Sequence, residues 1–297
     1  MIKIKNKKSS KEPIKYLIIV ISILIAYFIT GKFGLSLAFV HPNSTAVWAP
    51  TGIAIAVMLL FGYRVWPAIF IGAFLVNFTT AGTILTSLGI ALGNTLEGLI
   101  GATLINKYAN GTRVFNAPKT IILFVIFATA GAIVSGTIGI ASLSLGGFAS
   151  WEKYLPIWLT WWTGNLIGAL IVTPLIVVWS GKKSLLDFKR AAFSVLLYVI
   201  VSLIVFHPFV KINSNYPLAF LFILPVLYIS YKFGQRSTTA SMLFLTIITI
   251  LGTVNGFGPF GQLSTNESLL VSQAYLGVIS LTGLTISSLV LKNEKHK

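Results

Sequence analysis

Ten apolar runs separated by short polar breaks leave this chain little choice of fold. They extend from Ile14 to Thr30, Val47 to Phe61, Trp66 to Thr79, Thr83 to Asn106 and Thr120 to Gly146. Tyr154 to Ser180, Ala191 to Phe209, Tyr216 to Tyr231, Ser237 to Val254 and Ser268 to Leu291 complete the set. The runs are roughly 15 to 27 residues long, and about 20 helical residues cross a hydrocarbon core about 30 Å thick. With 9% charged residues and a mean hydropathy of +0.89, the 297-residue chain cannot supply the charged exterior of a soluble domain that size. The expected fold is an all-α integral membrane protein, a polytopic bundle of about ten transmembrane helices. A basic tail over residues 1–13 precedes the embedded domain, 14–291, and a short tail, 292–297, follows it.

Charge supplies an independent test of that count, because Lys and Arg collect in cytoplasmic loops. If the N-terminus starts inside, alternation puts 19 of the 22 basic residues on the cytoplasmic side, and only Lys32, Lys153 and Lys211 outside. Losing any single run would scramble this pattern, so an even number of spans with both termini cytoplasmic is expected. The second and third runs are the weak pair, since about 15 residues at 1.5 Å each reach only about 22 Å. As a re-entrant hairpin they would leave eight spans, with Arg64 at the hairpin tip. Short, Pro- or Gly-flanked segments also occur as broken helices near transporter binding sites.

The formal charge of +16 therefore follows from topology. It is scattered over six cytoplasmic pieces with no nucleic-acid motif, which argues against a nucleic-acid partner. The block from Lys3 to Lys15 suits anionic lipid, with a protein-docking tail as the alternative. The first run is too long for a signal-peptide core and is expected to stay as an uncleaved helix. Zero cysteines exclude disulfides, thiolate catalysis and Cys-ligated metals in this chain. His41 and His207 fall near the outer face and His296 in the C-terminal tail, a set that suits capping or solvent better than a metal or haem. No catalytic triad, phosphate loop or carboxylate pair stands out, so neither an enzyme nor a resident cofactor is expected.

One residue stands apart. Glu97 is the only carboxylate within an apolar run, and burying one at bilayer depth costs about 2.5 to 3.5 kcal/mol on insertion scales. Gly89, Gly93, Glu97 and Gly101 recur every four residues, placing it on a ridge that a neighbouring backbone can touch. Asn94 lies one turn earlier. The sixth run offers a partner in Trp158, Trp161, Trp162, Asn165 and the close-packing pair Gly164 and Gly168. Asn94 and Asn165 both lie about 17 Å below the outer ends of their helices, so they can meet near the midplane. Gly131, Ser135 and Gly139 form a small-residue stripe on the fifth run, and Thr173-Pro174 should loosen the sixth. A packed central group of runs four, five and six follows, with Glu97 either functional or a purely structural interhelical hydrogen bond. Isolation would keep it neutral, whereas pairing with Arg64 would keep it charged. Trp48, Trp66, Trp151 and Trp179 suit interfacial belts. Trp161 and Trp162 lie deeper, as a stacking wall for a ligand or as core packing.

Five stretches in order resemble a known family. Phe33-Gly34-Leu35-Ser36-Leu37-Ala38-Phe39, Val47-Trp48-Ala49-Pro50-Thr51-Gly52 and Phe61-Gly62-Tyr63-Arg64-Val65-Trp66-Pro67 are similar to the first membrane-associated sensor domain family of bacteria. Gly93-Asn94-Thr95-Leu96-Glu97 and Trp158-Leu159-Thr160-Trp161-Trp162-Thr163-Gly164-Asn165 continue the pattern. The likeness runs from about Phe33 to Trp179 and thins to helix count and spacing from Ala191 onward.

The resemblance implies an inner-membrane input module, usually fused to a histidine kinase or a cyclic-dinucleotide enzyme. Its motif carries over Trp48, Pro50, Thr51, Gly52, Arg64, Trp66, Asn94, Glu97, Trp161, Trp162 and Gly164. The family often has an acid where this chain has Asn165, so a second acidic partner for Glu97 is not expected. Only Lys292 to Lys297 follow the last run, so the output is expected to sit on a separate protein in the bilayer or cytoplasm. The leading reading is a sensory domain that binds a small ligand near Asn94, Glu97, Trp161, Trp162 and Asn165, with Trp48 and Arg64 as motif neighbours. A secondary transporter, or the substrate-binding component of one, is the rival, and a scaffold that recruits partners through its loops is the third.

Overall fold

The computed structural model describes residues 11–37, 45–205, 218–261 and 265–294. His41, His207, His296, Lys211 and the first ten residues of the basic tail lie outside them. Ten α-helices match the ten apolar runs in order: α1 (Lys11–Ser36), α2 (Ala49–Phe61), α3 (Trp66–Phe78), α4 (Ile84–Tyr108), α5 (Pro118–Leu145), α6 (Tyr154–Trp179), α7 (Leu185–Val205), α8 (Ile223–Lys232), α9 (Gly234–Val254) and α10 (Thr265–Glu294). Strands are absent among the described residues.

Seven of these helices are long and apolar enough to cross a membrane, while α2, α3 and α8 are shorter. The eighth run is thus a third short element, a ten-residue helix entered through the 3₁₀ turn Leu218–Phe222. Several boundaries move outward as well. The first helix begins at Lys11, the seventh begins at Leu185 and takes in Asp187, Lys189 and Arg190, and the last runs to Glu294.

Local chemistry sets the breaks. Helix α2 starts at Ala49-Pro50 and stops at Gly62, whose φ of +81° an L side chain rarely adopts and whose N–H still bonds Met58 O at 3.0 Å. Pro67 then opens α3, and a reciprocal capping pair, Thr83 with Thr86, opens α4. Pro174 lies within α6.

The short second helix is a central one. Every residue from Pro50 to Leu59 is buried, between α1, α4 and α6. Its uniform hydrophobicity belongs to a helix enclosed by protein on all sides. Helix α3 fills the layer between α1 and α4. Tyr16 of α1 donates to Arg64 O at 2.7 Å, and Lys32 donates to Thr79 O at 3.0 Å and to Thr80 Oγ1 at 2.8 Å. Those two clasps are sixteen residues of α1 apart, about 24 Å, so α3 and its flanking turns lie along roughly three-fifths of the 26-residue α1. Lys32, exceptional in the charge alternation, thereby caps the carbonyl of Thr79 at the C-terminal end of α3.

Helix α10 closes the bundle on the far side of α6 through Gln273. Its amide donates to Ala46 O at 2.8 Å and Thr160 O at 3.4 Å, and its carbonyl accepts from Thr163 Oγ1 at 2.6 Å. Gln273→Leu should lower unfolding stability in detergent by about 1–2 kcal/mol, because Ala46 O on one segment and Thr160 O and Thr163 Oγ1 on α6 lose a hydrogen bond together. Denaturant titration of the two proteins checks this.

Candidate functional site

Glu97, Asn94, Asn165, Ser135 and Thr51 form one hydrogen-bonded cluster, each 0–2% exposed. Helix α4 supplies Asn94 and Glu97 one turn apart. Two glycines of the small-residue stripes let α5 close on them. A Cβ on Gly131 would come within 2.8 Å of Glu97 O, and one on Gly93 within 3.3 Å of Ser135 O. One carboxylate oxygen, Glu97 Oε2, accepts from Thr51 Oγ1 of α2 at 3.0 Å and from Asn165 Nδ2 of α6 at 2.9 Å.

Ser135 is the hub on the α5 side. It donates to Asn94 Oδ1 at 2.7 Å and accepts from Asn165 Nδ2 at 3.2 Å and Trp161 Nε1 at 3.3 Å. The match in depth between Asn94 and Asn165 read from the sequence is therefore realised through Ser135, and Glu97 does sit across from Trp161 and Asn165. Asparagine at 165 suits the arrangement, since its amide donates to the carboxylate and the hydroxyl at once, which an ionised acid cannot do.

From α1, fully buried Tyr27 faces the side chains of Trp48 and Asn94 and lies within the field of Glu97, close to them without reaching hydrogen-bond geometry. Five helices thus converge on one polar point. Three of its buried atoms, Glu97 Oε1, Asn94 Nδ2 and Trp48 Nε1, carry no hydrogen bond. In the sequence, Tyr27 and Gln273 are marked only as polar-tipped side chains in apolar runs. Ser135 was visible, but as one member of a packing stripe.

Two expected site members lie elsewhere. Arg64 is exposed at the α2–α3 turn, 5.1 Å beneath the Tyr16 ring, and does not pair with Glu97. Thr51, which meets Glu97, stands in the first turn of α2 and Arg64 lies beyond its last, about 20 Å farther along the chain, which carries the turn away from the centre. Trp162 is half-buried and stacks on Trp158 at 5.6 Å, while Trp158 donates to Thr137 Oγ1. One residue is about 100° of helix, so Trp161 turns inward and Trp162 turns aside. Trp48, expected in an interfacial belt, is 6% exposed and packs over Gly31 and Gly34 of α1. Trp66 and Trp151 are exposed as a belt requires, whereas Trp179 is tied to α9 through Arg236 O and Thr239 Oγ1.

Among the described residues no group of three or more His, Asp or Glu is placed to hold a metal ion. Glu97 is held by neutral hydroxyl and amide donors. Such a network can join helices and answer to changes in their spacing, and it carries no nucleophile–base pair.

The fold and site together define a multi-pass, all-helical membrane domain built around a buried polar centre. The MASE1 family profile matches residues 19–293, and the chain belongs to this family of membrane-associated sensor domains. That match carries the resemblance past Trp179 to the end of α10. No curated protein and no solved structure matches the chain.

Proposed function

We propose that this MASE1 domain is a sensor whose responsive element is the polar centre on Glu97, and that it binds a small polar ligand there. The observation that carries this reading is the set of three bond-free buried atoms grouped around Tyr27. Buried polar atoms in native proteins are nearly always bonded, so three in one place invite an explanation. A ligand offering one donor and one acceptor would serve Glu97 Oε1 and Asn94 Nδ2 together. Trp161 would remain the aromatic wall beside them.

Glu97, Asn94, Tyr27 and Trp48 are all buried inside the bundle. Ligand entry therefore needs looser helix packing, and a ligand that prefers the looser bundle shifts the population toward it. Helix α6 is the natural relay. It carries Trp161 and Asn165 at the centre, is weakened at Pro174, and ends at Trp179 on α9. The output would be a histidine kinase or cyclic-dinucleotide enzyme at the cytoplasmic ends of the helices.

The proposed setting is a bacterial inner membrane, with ten crossings and both termini cytoplasmic. A chain without cysteine makes this easy to test by single-cysteine labelling. Ser150→Cys should react with an impermeant thiol reagent on intact spheroplasts, and Lys183→Cys only after permeabilisation. Functionally, affinity capture in mild detergent should recover a kinase or cyclic-dinucleotide enzyme. Solute uptake into proteoliposomes that disappears in Glu97→Gln would replace the sensor with a transporter.

A further inference from the structure

A second site lies far along the bundle from Glu97, at the end that gathers the arginines and lysines. There an open cavity of about 450 Å³ lies among the ends of α6, α7, α8, α9 and α10 and the 3₁₀ turn Gly111–Asn116. Its volume is within the range of about 300–1,000 Å³ typical of small-ligand sites. Three cationic side chains line it: Arg190 from α7, Lys232 from α8 and Arg236 from α9.

Their charges are not equally committed. Arg236 Nη1 is paired with Asp187 Oδ2 at 2.6 Å, and its other terminal nitrogen donates to Lys182 O. Asp187 is fixed in turn, because the same oxygen accepts from the N–H and the hydroxyl of Ser184, each at 2.8 Å. Arg236 and Asp187 therefore cancel and form a rigid wall tying α7 to α9. The guanidinium of Arg190 and the ammonium of Lys232 have no partner among the described residues, which leaves the cavity with two uncompensated positive charges. Neutral donors on Thr112 and Asn116 complete the lining.

We infer that this cavity is a binding site for a phosphate group, held between Arg190 and Lys232 against the Arg236–Asp187 wall. Arg offers a planar two-pronged donor that matches phosphate, and Lys adds a point charge. The phosphate can belong to a soluble anion or to an anionic lipid headgroup, which basic pockets between membrane helices are known to take. A ligand there would touch α7, α8 and α9 at once and so would fix the spacing of the helix ends. The inference is independent of the role of Glu97, whose cluster contains none of these residues.

The test uses the full chain in a zwitterionic detergent, with unfolding temperature read against inorganic phosphate and, separately, short-chain phosphatidylglycerol, each balanced to constant ionic strength with sodium chloride. At least one probe should give a saturable rise. Phosphate acting alone identifies a soluble anion, and phosphatidylglycerol acting alone identifies the lipid headgroup. In the double variant Arg190→Gln/Lys232→Gln the apparent dissociation constant should rise at least about tenfold. Both side chains are exposed, so the variant should fold with its unliganded unfolding temperature unchanged. Lys119→Gln, outside the cavity, should respond as the wild type does. No rise with either probe beyond the chloride control, or an equal rise in the double variant, overturns the site.

Discussion

Gly168→Ala should destabilise the bundle by about 3 kcal/mol, at the upper end of what one added methyl group costs in a packed interior. The new Cβ would overlap the carbonyl of Trp48, which is main chain and cannot rotate away as a side-chain tip can. Nor is that segment free to retreat. Trp48 N–H bonds Gly164 O at 2.9 Å, and Ala46 O is held by Gln273. Across the contact, a Cβ on Gly52 would come within 2.5 Å of Gly168 O, so the two glycines are two sides of one close approach. Gly101→Ala is the control, since its Cβ would meet only the side chain of Ile55 at 3.3 Å; a cost under about 1 kcal/mol is expected. Denaturant unfolding in detergent separates the two, and Gly168→Ala within about 0.5 kcal/mol of wild type would refute the close α2–α6 contact.

Glu97→Ala should cost about 2–4 kcal/mol, because Thr51 and Asn165 each lose an acceptor in a region without bulk water to replace it. Glu97→Gln is the informative companion. Its amide oxygen can accept both bonds now made to Oε2, and its nitrogen then takes the place of the bond-free Oε1. The cost should stay under about 1 kcal/mol, as for a near-isosteric change that keeps its hydrogen bonds. The pair distinguishes the roles open to Glu97. A structural bond alone predicts that the glutamine variant behaves as wild type in every assay, whereas a ligand contact through Oε1 predicts a folded protein that no longer responds.

Much of this architecture was legible in the sequence for a plain reason. Apolar length is a property of single segments, and it marked all ten helices. Depth was legible too, since two residues equally far from their helix ends meet if the helices are neighbours, and Asn94 and Asn165 do so through Ser135. What stayed hidden depends on which neighbour a face meets. An all-apolar segment such as α2 reads the same against lipid as against protein, so its central place could not be seen. Motif proximity misled at Arg64, which is near Trp48 in the chain but separated from it by the length of α2. Trp162 failed for a rotational reason, since helix register alone does not say which of two adjacent tryptophans turns inward. Tyr27 contributes from α1, seventy residues before Glu97, where nothing local announces a polar neighbour.

Ligand binding at the Glu97 centre is what a sensor of this design requires above all. The most direct measurement is a thermal-unfolding screen of small polar metabolites against the protein in nanodiscs, run in parallel on wild type, Glu97→Gln and Asn165→Leu. At least one compound should raise the wild-type unfolding temperature in a saturable way and leave both variants unmoved. A library in which nothing stabilises the wild type, or in which every stabiliser acts equally on all three proteins, would contradict it.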